Sequence, residues 1–188
     1  MRMRSFLMIL LAVAALSATA KEKDKKKAAQ AAPAPAASGM AKAPGFSLTA
    51  FPGGKARLKD FQGKWLVLCF YPKANAPKDV LEMSSLREAW PQIQKLNATL
   101  LGISMDPPAV VEKFQKDLAL PFALACDVDK QASTAYGALG LGGLFSARKA
   151  VIIDPQGRLA GEMDKGPEKQ YGARVIETLK SLQARPAD

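Results

Sequence analysis

The residues able to do chemistry are few, because the chain of 188 residues contains two cysteines and no histidine. Without histidine, Ser-His-Asp and Cys-His catalysis, imidazole general-base catalysis and histidine-ligated zinc are all excluded. Cys69 and Cys126 lie too far apart in the sequence for a CxxC redox pair, and two thiols alone do not complete a zinc site. The sequence therefore predicts no metal site and no cofactor.

The segment FYPKANAPKD at 70–79 leaves one predicted element and enters the next. Asp79, with Glu82 three residues later, forms an N-cap signature. The apolar residues that follow recur at helical spacing, namely Val80, Met83, Leu86 and Trp90. The pattern predicts that Asp79 caps this helix, a role that stabilises a helix by ~1 kcal/mol.

Apolar runs and their periodicity predict a mixed α/β domain around this segment. The continuous apolar run at 65–71 is typical of a buried strand. Further strands are predicted at 99–104, 121–125, 150–154 and 158–161, further helices at 108–118, 128–137 and 167–183, and a hairpin at 46–54. Alternating strands and helices with a closing hairpin indicate a thioredoxin-like mixed sheet flanked by helices, with an N-terminal hairpin.

The N-terminal part of the chain has a different composition. Residues 1–20 combine basic residues, a short apolar run and a small-residue site, which predicts a signal peptide and export to the periplasm. Residues 21–44 contain six lysines and an Ala-Pro tract, which predicts a flexible linker before a domain at 45–188. Residues 1–44 carry +6 of the net charge of +10, and the domain carries +4, so the charge does not indicate nucleic-acid binding. A solvated tail is favoured, with weak contact to anionic envelope surfaces as the alternative.

The domain resembles a peroxiredoxin of the alkyl hydroperoxide reductase and thiol-specific antioxidant family, in the bacterioferritin-comigratory, or Q-type, branch. The segments that carry the resemblance, in chain order, are APGFSL (43–48), LKDFQGK (58–64), FYPK (70–73), LGIS (101–104), LPF (120–122) and IDPQG (153–157). None of these segments is decisive alone, but together they span the whole domain.

The resemblance implies thiol-dependent reduction of hydroperoxides. In the family, a cysteine at the helix start attacks the peroxide as a thiolate, becomes a sulfenic acid and is restored by a second thiol. Pro77 matches the family's site, and so do two arginines, Arg87 on the helix and Arg148 before a late strand. The expected partner is a thiol reductant or an unidentified protein, and the oligomeric state stays open between a monomer and a weak dimer.

The reacting groups depart from the family's pattern. Asp79 stands where the peroxidatic cysteine belongs, Ala76 replaces the threonine that orients peroxide, Lys78 replaces a glycine, and Ser84 stands where some members have the resolving cysteine. A carboxylate cannot cycle through a sulfenic acid. The sequence thus favours a non-peroxidatic homologue with a binding or structural role, in which Asp79 pairs with Arg148 or Arg87.

The alternative is an active antioxidant thiol peroxidase that uses Cys126, or Cys69, with an external thiol reductant. Cys69 falls inside the predicted buried strand, whereas Cys126 ends a strand and is expected to be the more reachable thiol. The resemblance places the two cysteines two strands apart, or ~9.6 Å, and a disulfide needs Cα atoms within ~7 Å. No internal disulfide is therefore expected, and structural roles are favoured for both residues.

Overall fold

The computed structural model describes residues 41–164 and 166–185. The predicted signal peptide and nearly all of the predicted linker lie outside these residues. Residues just before the predicted boundary at 45 already contact the domain. Ala43 is buried and its N–H donates to the carbonyl of Gly157 (2.9 Å), while Lys42 forms a β-bridge with Arg158. Among the described residues, no helix has the length and apolar character that crossing a membrane would require.

Seven strands form one mixed sheet. They are β1 (Ser47–Phe51), β2 (Gly54–Arg57), β3 (Trp65–Phe70), β4 (Ala98–Ser104), β5 (Ala123–Cys126), β6 (Lys149–Ile153) and β7 (Leu159–Asp164). Their order across the sheet is β2-β1-β5-β4-β3-β6-β7. The three central strands β5, β4 and β3 are parallel, and the pairs outside them are antiparallel. The predicted mixed sheet and N-terminal hairpin are both present.

Four α-helices cover the sheet: α1 (Pro77–Lys95), α2 (Pro108–Asp117), α3 (Gln131–Ala135) and α4 (Tyr171–Gln183). Helices α1, α2 and α4 pack on one face, and α3 packs on the other with the N-terminal segment. Alternate residues of β3 enter the two cores, Val67 and Cys69 on the side of α1, and Leu66 and Leu68 on the opposite side. Burial on both faces explains why β3 is apolar throughout.

Several predicted boundaries differ from the structure. The third predicted strand begins at Ala123 rather than 121, the predicted helix at 128–137 is helical only over Gln131–Ala135, and α4 begins at Tyr171 after a 3₁₀ turn at Glu168–Gln170. These errors lie at the ends of elements, where local sequence signals are weakest and tertiary contacts decide the conformation.

The site predicted from the sequence lies at the carboxyl end of β3. Phe70 ends β3 and pairs with Lys149 at the start of the antiparallel strand β6, so Arg148 lies at the same edge as the start of α1. The start of α4 is held against α1, because Ser85 Oγ donates to the carbonyl of Lys169 (3.0 Å) and accepts the N–H of Gly172 (3.0 Å). Three elements therefore meet at this edge.

Candidate functional site

Helix α1 begins three residues earlier than the position at which Asp79 would cap it. Ala76 is the N-cap, and its carbonyl accepts the N–H groups of Asp79 and Val80 (2.9 Å each). Pro77 takes the first helical position, where its fixed φ and missing N–H suit a helix start. The prediction that Asp79 is the N-cap was therefore wrong, because Pro77 starts the helix and Asp79 becomes its third residue.

The turn between β3 and α1 is held by a residue that the sequence did not single out. Asp106 accepts the N–H of Ala74 (2.7 Å) and the hydroxyl of Ser104 (3.0 Å) through Oδ2. Asn75 adopts a left-handed conformation with φ of 63° in the same turn. Asp106 follows β4, so only the parallel pairing of β3 with β4 brings its carboxylate to this turn.

The side chain of Asp79 joins a cluster of charges, called here the Arg148 cluster and made of Asp79, Glu82, Arg148 and Glu168. Arg148 Nη2 donates to Asp79 Oδ1, and Arg148 Nε donates to Glu82 Oε2 (2.5 Å). Arg148 Nη1 lies 4.0 Å from Glu168 Oε1 on the segment before α4. Asp79 and Glu82 are 1% and 0% exposed, so these two carboxylates are shut off from solvent, whereas Glu168 is partly exposed.

Two buried acids share one guanidinium, and burial changes their pKa values. Burial raises the pKa of Glu82 to about 8, although the charge of Arg148 opposes the rise. Burial likewise raises the pKa of Asp79 against the opposing hydrogen bond from Arg148. Glu82 Oε1 is buried and has no hydrogen-bond partner among the described residues. Burial therefore favours the protonated form of both acids, and Arg148 opposes this effect at each of them.

Glu82 was predicted only as part of a cap, and its pairing with Arg148 was missed. The signal that could have indicated it is the spacing of three residues, which puts Asp79 and Glu82 on one face of a helix. Burial lowers the pKa of Arg148, but the hydrogen bond and charge of Asp79 outweigh that effect and the pKa is raised. The guanidinium thus stays charged and is occupied by residues of the chain itself.

Arg87 and Ser84 do not join the cluster. The Arg87 guanidinium donates to the carbonyl of Leu118, just after the end of α2 (2.6 Å). Of the two arginines predicted as alternative partners of Asp79, Arg148 is therefore the one that pairs with it. The free carbonyls at the end of α2 attract the Arg87 cation. Ser84 is half-buried on α1, in the second turn of the helix.

Both thiols are buried and free. Burial, and then the charge of Glu82, raises the pKa of Cys69 well above its ordinary value. Cys126 is 5% exposed, and burial followed by the charge of Asp106 raises its pKa to about 11. Cys126 is the more exposed of the two thiols, as expected, because Cys69 is 0% exposed, but both side chains belong to the same apolar core. The cysteines lie two strands apart with β4 between them, as the resemblance implied.

A depression with both charged and apolar residues lies next to the turn between β3 and α1. The depression, of about 460 Å³, lies between Pro72, Lys73 and Asp106 on one side and Leu144 and Phe145 on the other. Leu144 is 80% exposed, and Leu141 in the same loop is 85% exposed. Within 41–164 and 166–185, no group of three or more His, Cys, Asp or Glu is arranged to hold a metal ion. The site therefore contains an internal ion pair, and both cysteines of the chain are buried in the sheet.

Comparison with known proteins places this geometry in a family. Residues 40–161 match the model of the AhpC/TSA family. The chain is 31% identical to peroxiredoxin Bcp of Bacillus subtilis over 147 residues, which cover 75% of this chain and 94% of the relative. It is also 31% identical to peroxiredoxin Bcp of Escherichia coli K12 over 144 residues, which cover 73% and 92% of the two chains.

A solved structure of the bacterioferritin comigratory protein of Xanthomonas campestris, studied for its alkyl peroxide reduction activity, superposes with a TM-score of 0.68 at 25% identity. The superposition covers 72% of this chain and 90% of that protein. It bears out the predicted fold, a thioredoxin-like mixed sheet flanked by helices. On the matched sequence and the shared fold, the chain belongs to the AhpC/TSA family, in its Bcp or Q-type peroxiredoxin branch.

Proposed function

We propose that this chain is an exported, non-peroxidatic member of the family with a binding or structural role. The observation that carries the proposal is the carboxylate of Asp79, which is 1% exposed, is paired with Arg148 and stands where the resemblance places the reacting cysteine. Reduction of a hydroperoxide in this family requires a sulfur atom that accepts one peroxide oxygen and is then reduced by a thiol. A carboxylate has no such oxidation cycle.

The arginine supports the same proposal. In a thiol peroxidase, a guanidinium beside the reacting cysteine stabilises the thiolate and lowers its pKa. Here Arg148 donates from Nε to Glu82 and from Nη2 to Asp79 and is itself mostly buried, so two of its N–H groups are already bound by acids of the same chain. A peroxide entering this edge of the sheet would find an internal ion pair instead of an activated nucleophile.

The alternative, a thiol peroxidase that uses Cys126 or Cys69 with an external reductant, has weaker support. A thiol with a pKa of about 11 is ionised in on the order of one molecule in ten thousand at pH 7. Neither cysteine lies at a helix N-terminus, because both belong to strands of the sheet. The groups that normally activate a thiolate are therefore absent around both residues within the described part of the chain.

The periplasm is the proposed location. The support is the order of basic residues, a short apolar run and a small-residue site within residues 1–20. Expression of the full chain in a bacterium, followed by osmotic shock, should release a shortened protein whose N-terminus begins near residue 21. Retention of the full-length chain in the cytoplasmic fraction would contradict export.

Peroxide consumption tests the proposed loss of activity. Purified protein is mixed with hydrogen peroxide and either dithiothreitol or thioredoxin with its reductase, and peroxide loss and intact mass are followed. We expect no turnover above the reductant alone and no rapid oxygen adduct. Turnover that disappears in Cys126→Ser or Cys69→Ser would show that the alternative is correct.

Restoring the thiol tests the assignment of the site. Asp79→Cys, alone or with Ala76→Thr and Lys78→Gly, is expected to gain measurable peroxidase activity, because Arg148 is already at the helix start. Asp79→Ser is the matched control, since it removes the carboxylate without adding a thiol, and it should stay inactive. A folded triple variant without activity would contradict the alignment of Asp79 with the reacting position.

A further inference from the structure

A second cavity, of about 350 Å³, lies at the opposite end of the sheet from the Arg148 cluster. Four cationic side chains line it, Lys42, Arg57, Lys59 and Lys64, and this set is called here the basic cavity. Phe46 and Phe61 contribute aromatic surface to its walls, together with Leu66 at the start of β3. The two sites lie at opposite ends of β3, because Leu66 is the second residue of that strand and Asp79 comes after its last residue.

The walls of the cavity are tied together by backbone hydrogen bonds. Leu58 N–H donates to the carbonyl of Phe46 (3.4 Å), and Gly63 N–H donates to that of Pro155 (3.0 Å). The rings of Phe46 and Phe61 lie 6.4 Å apart, centroid to centroid, in a tilted arrangement. Because three separate segments are joined in this way, the cavity is preformed and a ligand need not order it.

The positive charges of the basic cavity lie outside the ion pairs of the described residues, and the nearby carboxylate of Asp60 accepts the backbone N–H of Arg57 (2.9 Å). None of the four cations is in an ion pair with a described residue. The carboxylate that lines the cavity, Asp154, is used by its own turn, since it accepts Gln156 N–H (3.0 Å), Arg158 N–H (2.8 Å) and Arg158 Nε–H (2.7 Å). The cavity therefore combines an apolar floor with a rim of unneutralised positive charge.

We propose that the basic cavity binds a small anion with a flat apolar body, of the aromatic carboxylate, sulfonate or phosphate class. The aromatic body would lie against Phe46 and Phe61, and the anionic group would reach the cationic rim. The volume is at the small end of the range for small-molecule sites. This inference is independent of the proposed function, because the two sites occupy opposite ends of the sheet.

The proposal is tested by titrating the full chain with 1-naphthalenesulfonate and measuring the heat of binding by calorimetry. We expect saturable binding at one site, with an affinity that falls as salt is raised because the anionic contacts are exposed to solvent. Two partial probes separate the contributions, neutral 2-naphthalenemethanol and inorganic sulfate, and each should bind at least about tenfold more weakly. Equal affinity for either partial probe, or no saturable binding of the sulfonate, would overturn the proposal.

Charge reversal locates the site on the protein. Lys59→Glu with Lys64→Glu should weaken binding of the sulfonate about tenfold or more, because an attractive rim becomes partly repulsive. Lys55→Glu with Lys180→Glu is the matched control, with the same change in net charge at exposed lysines outside the cavity. Leu144→Ser checks that the probe does not bind the exposed apolar loop, and it should leave the affinity unchanged. Equal losses in the two charge pairs, or loss in Leu144→Ser, would contradict the assignment.

Discussion

The two ends of the central sheet treat charge in opposite ways. At the carboxyl end of β3, the Arg148 cluster is buried and its guanidinium is bound by acids of the same chain. At the amino end of β3, the basic cavity exposes cations that have no ion-pair partner among the described residues. The first arrangement contributes to folding, and the second leaves charge available to a ligand.

This difference bears on the proposed loss of peroxidase activity in a chain that belongs to the family. The end that resembles a peroxidatic site has a strand, a turn, a helix and an arginine, and an internal ion pair lies where the resemblance places the thiol. Removing one partner of a buried ion pair lowers the free energy of unfolding strongly, because the other charge is left buried without compensation. Exposed cations contribute little to the free energy of unfolding. Mutations at the two ends should therefore have effects of very different size.

The largest effect is expected from Arg148→Met. The substitution leaves Asp79 and Glu82 buried without their cation, and the free energy of unfolding at pH 7 should fall by about 3–5 kcal/mol. Urea denaturation followed by circular dichroism measures the change. Lys113→Met is the matched control, since it breaks an exposed pair with Asp117 and should change stability by less than about 0.5 kcal/mol. A similar small change in both variants would remove the contrast between the buried cluster and the exposed charges.

A second prediction concerns pH. The folded chain keeps the proton on Glu82 up to about pH 8, whereas the unfolded chain loses it near 4.5, so stability should fall as pH rises across this interval. The loss is on the order of 3 kcal/mol and is visible because the chain has no histidine that titrates there.

The variant that tests this pH dependence is Glu82→Gln, which keeps the side-chain shape without the titration. It should flatten the dependence when Tm is measured from pH 5 to 8, apart from a smaller contribution of Asp79. Glu88→Gln, at an exposed position of the same helix, should leave the slope unchanged. An unaltered slope in Glu82→Gln would show that the buried acid is not the source.

The smallest effect is expected from glycine-to-alanine substitutions at the two ends of the sheet. A Cβ on Gly172 would lie 2.4 Å from the carbonyl oxygen of Ser85 and 2.6 Å from Ala89 Cβ, so Gly172→Ala should destabilise the α1–α4 contact by about 1–3 kcal/mol. Gly45, which lines the basic cavity, has no atom within 4 Å of an added Cβ, and Gly45→Ala should stay within about 0.5 kcal/mol of the parent. Thermal denaturation of both variants measures the difference. Equal stability of the two would show that the packing behind the Arg148 cluster is not tight.

Local patterns indicated most of the elements correctly. The apolar run of β3 and the apolar spacing on α1 and α2 identified strand and helices, because burial on one or both faces imposes a period that a single sequence displays. The start of α1 was misplaced because two signals compete there. Asp79 is a good N-cap residue, but Pro77 and the carbonyl of Ala76 start the helix earlier.

The sequence by itself determined the family and excluded histidine chemistry, and it showed an aspartate, Asp79, where the resemblance places the reacting cysteine, because these depend on residue type and order. Only the tertiary structure decided which arginine binds Asp79, how deeply Cys126 is buried and that Glu82 shares the guanidinium. The basic cavity also emerged only there, since its walls come from segments that are distant in sequence. The physical reason is that burial and pairing arise between elements, where spacing along the chain carries no information about distance in space.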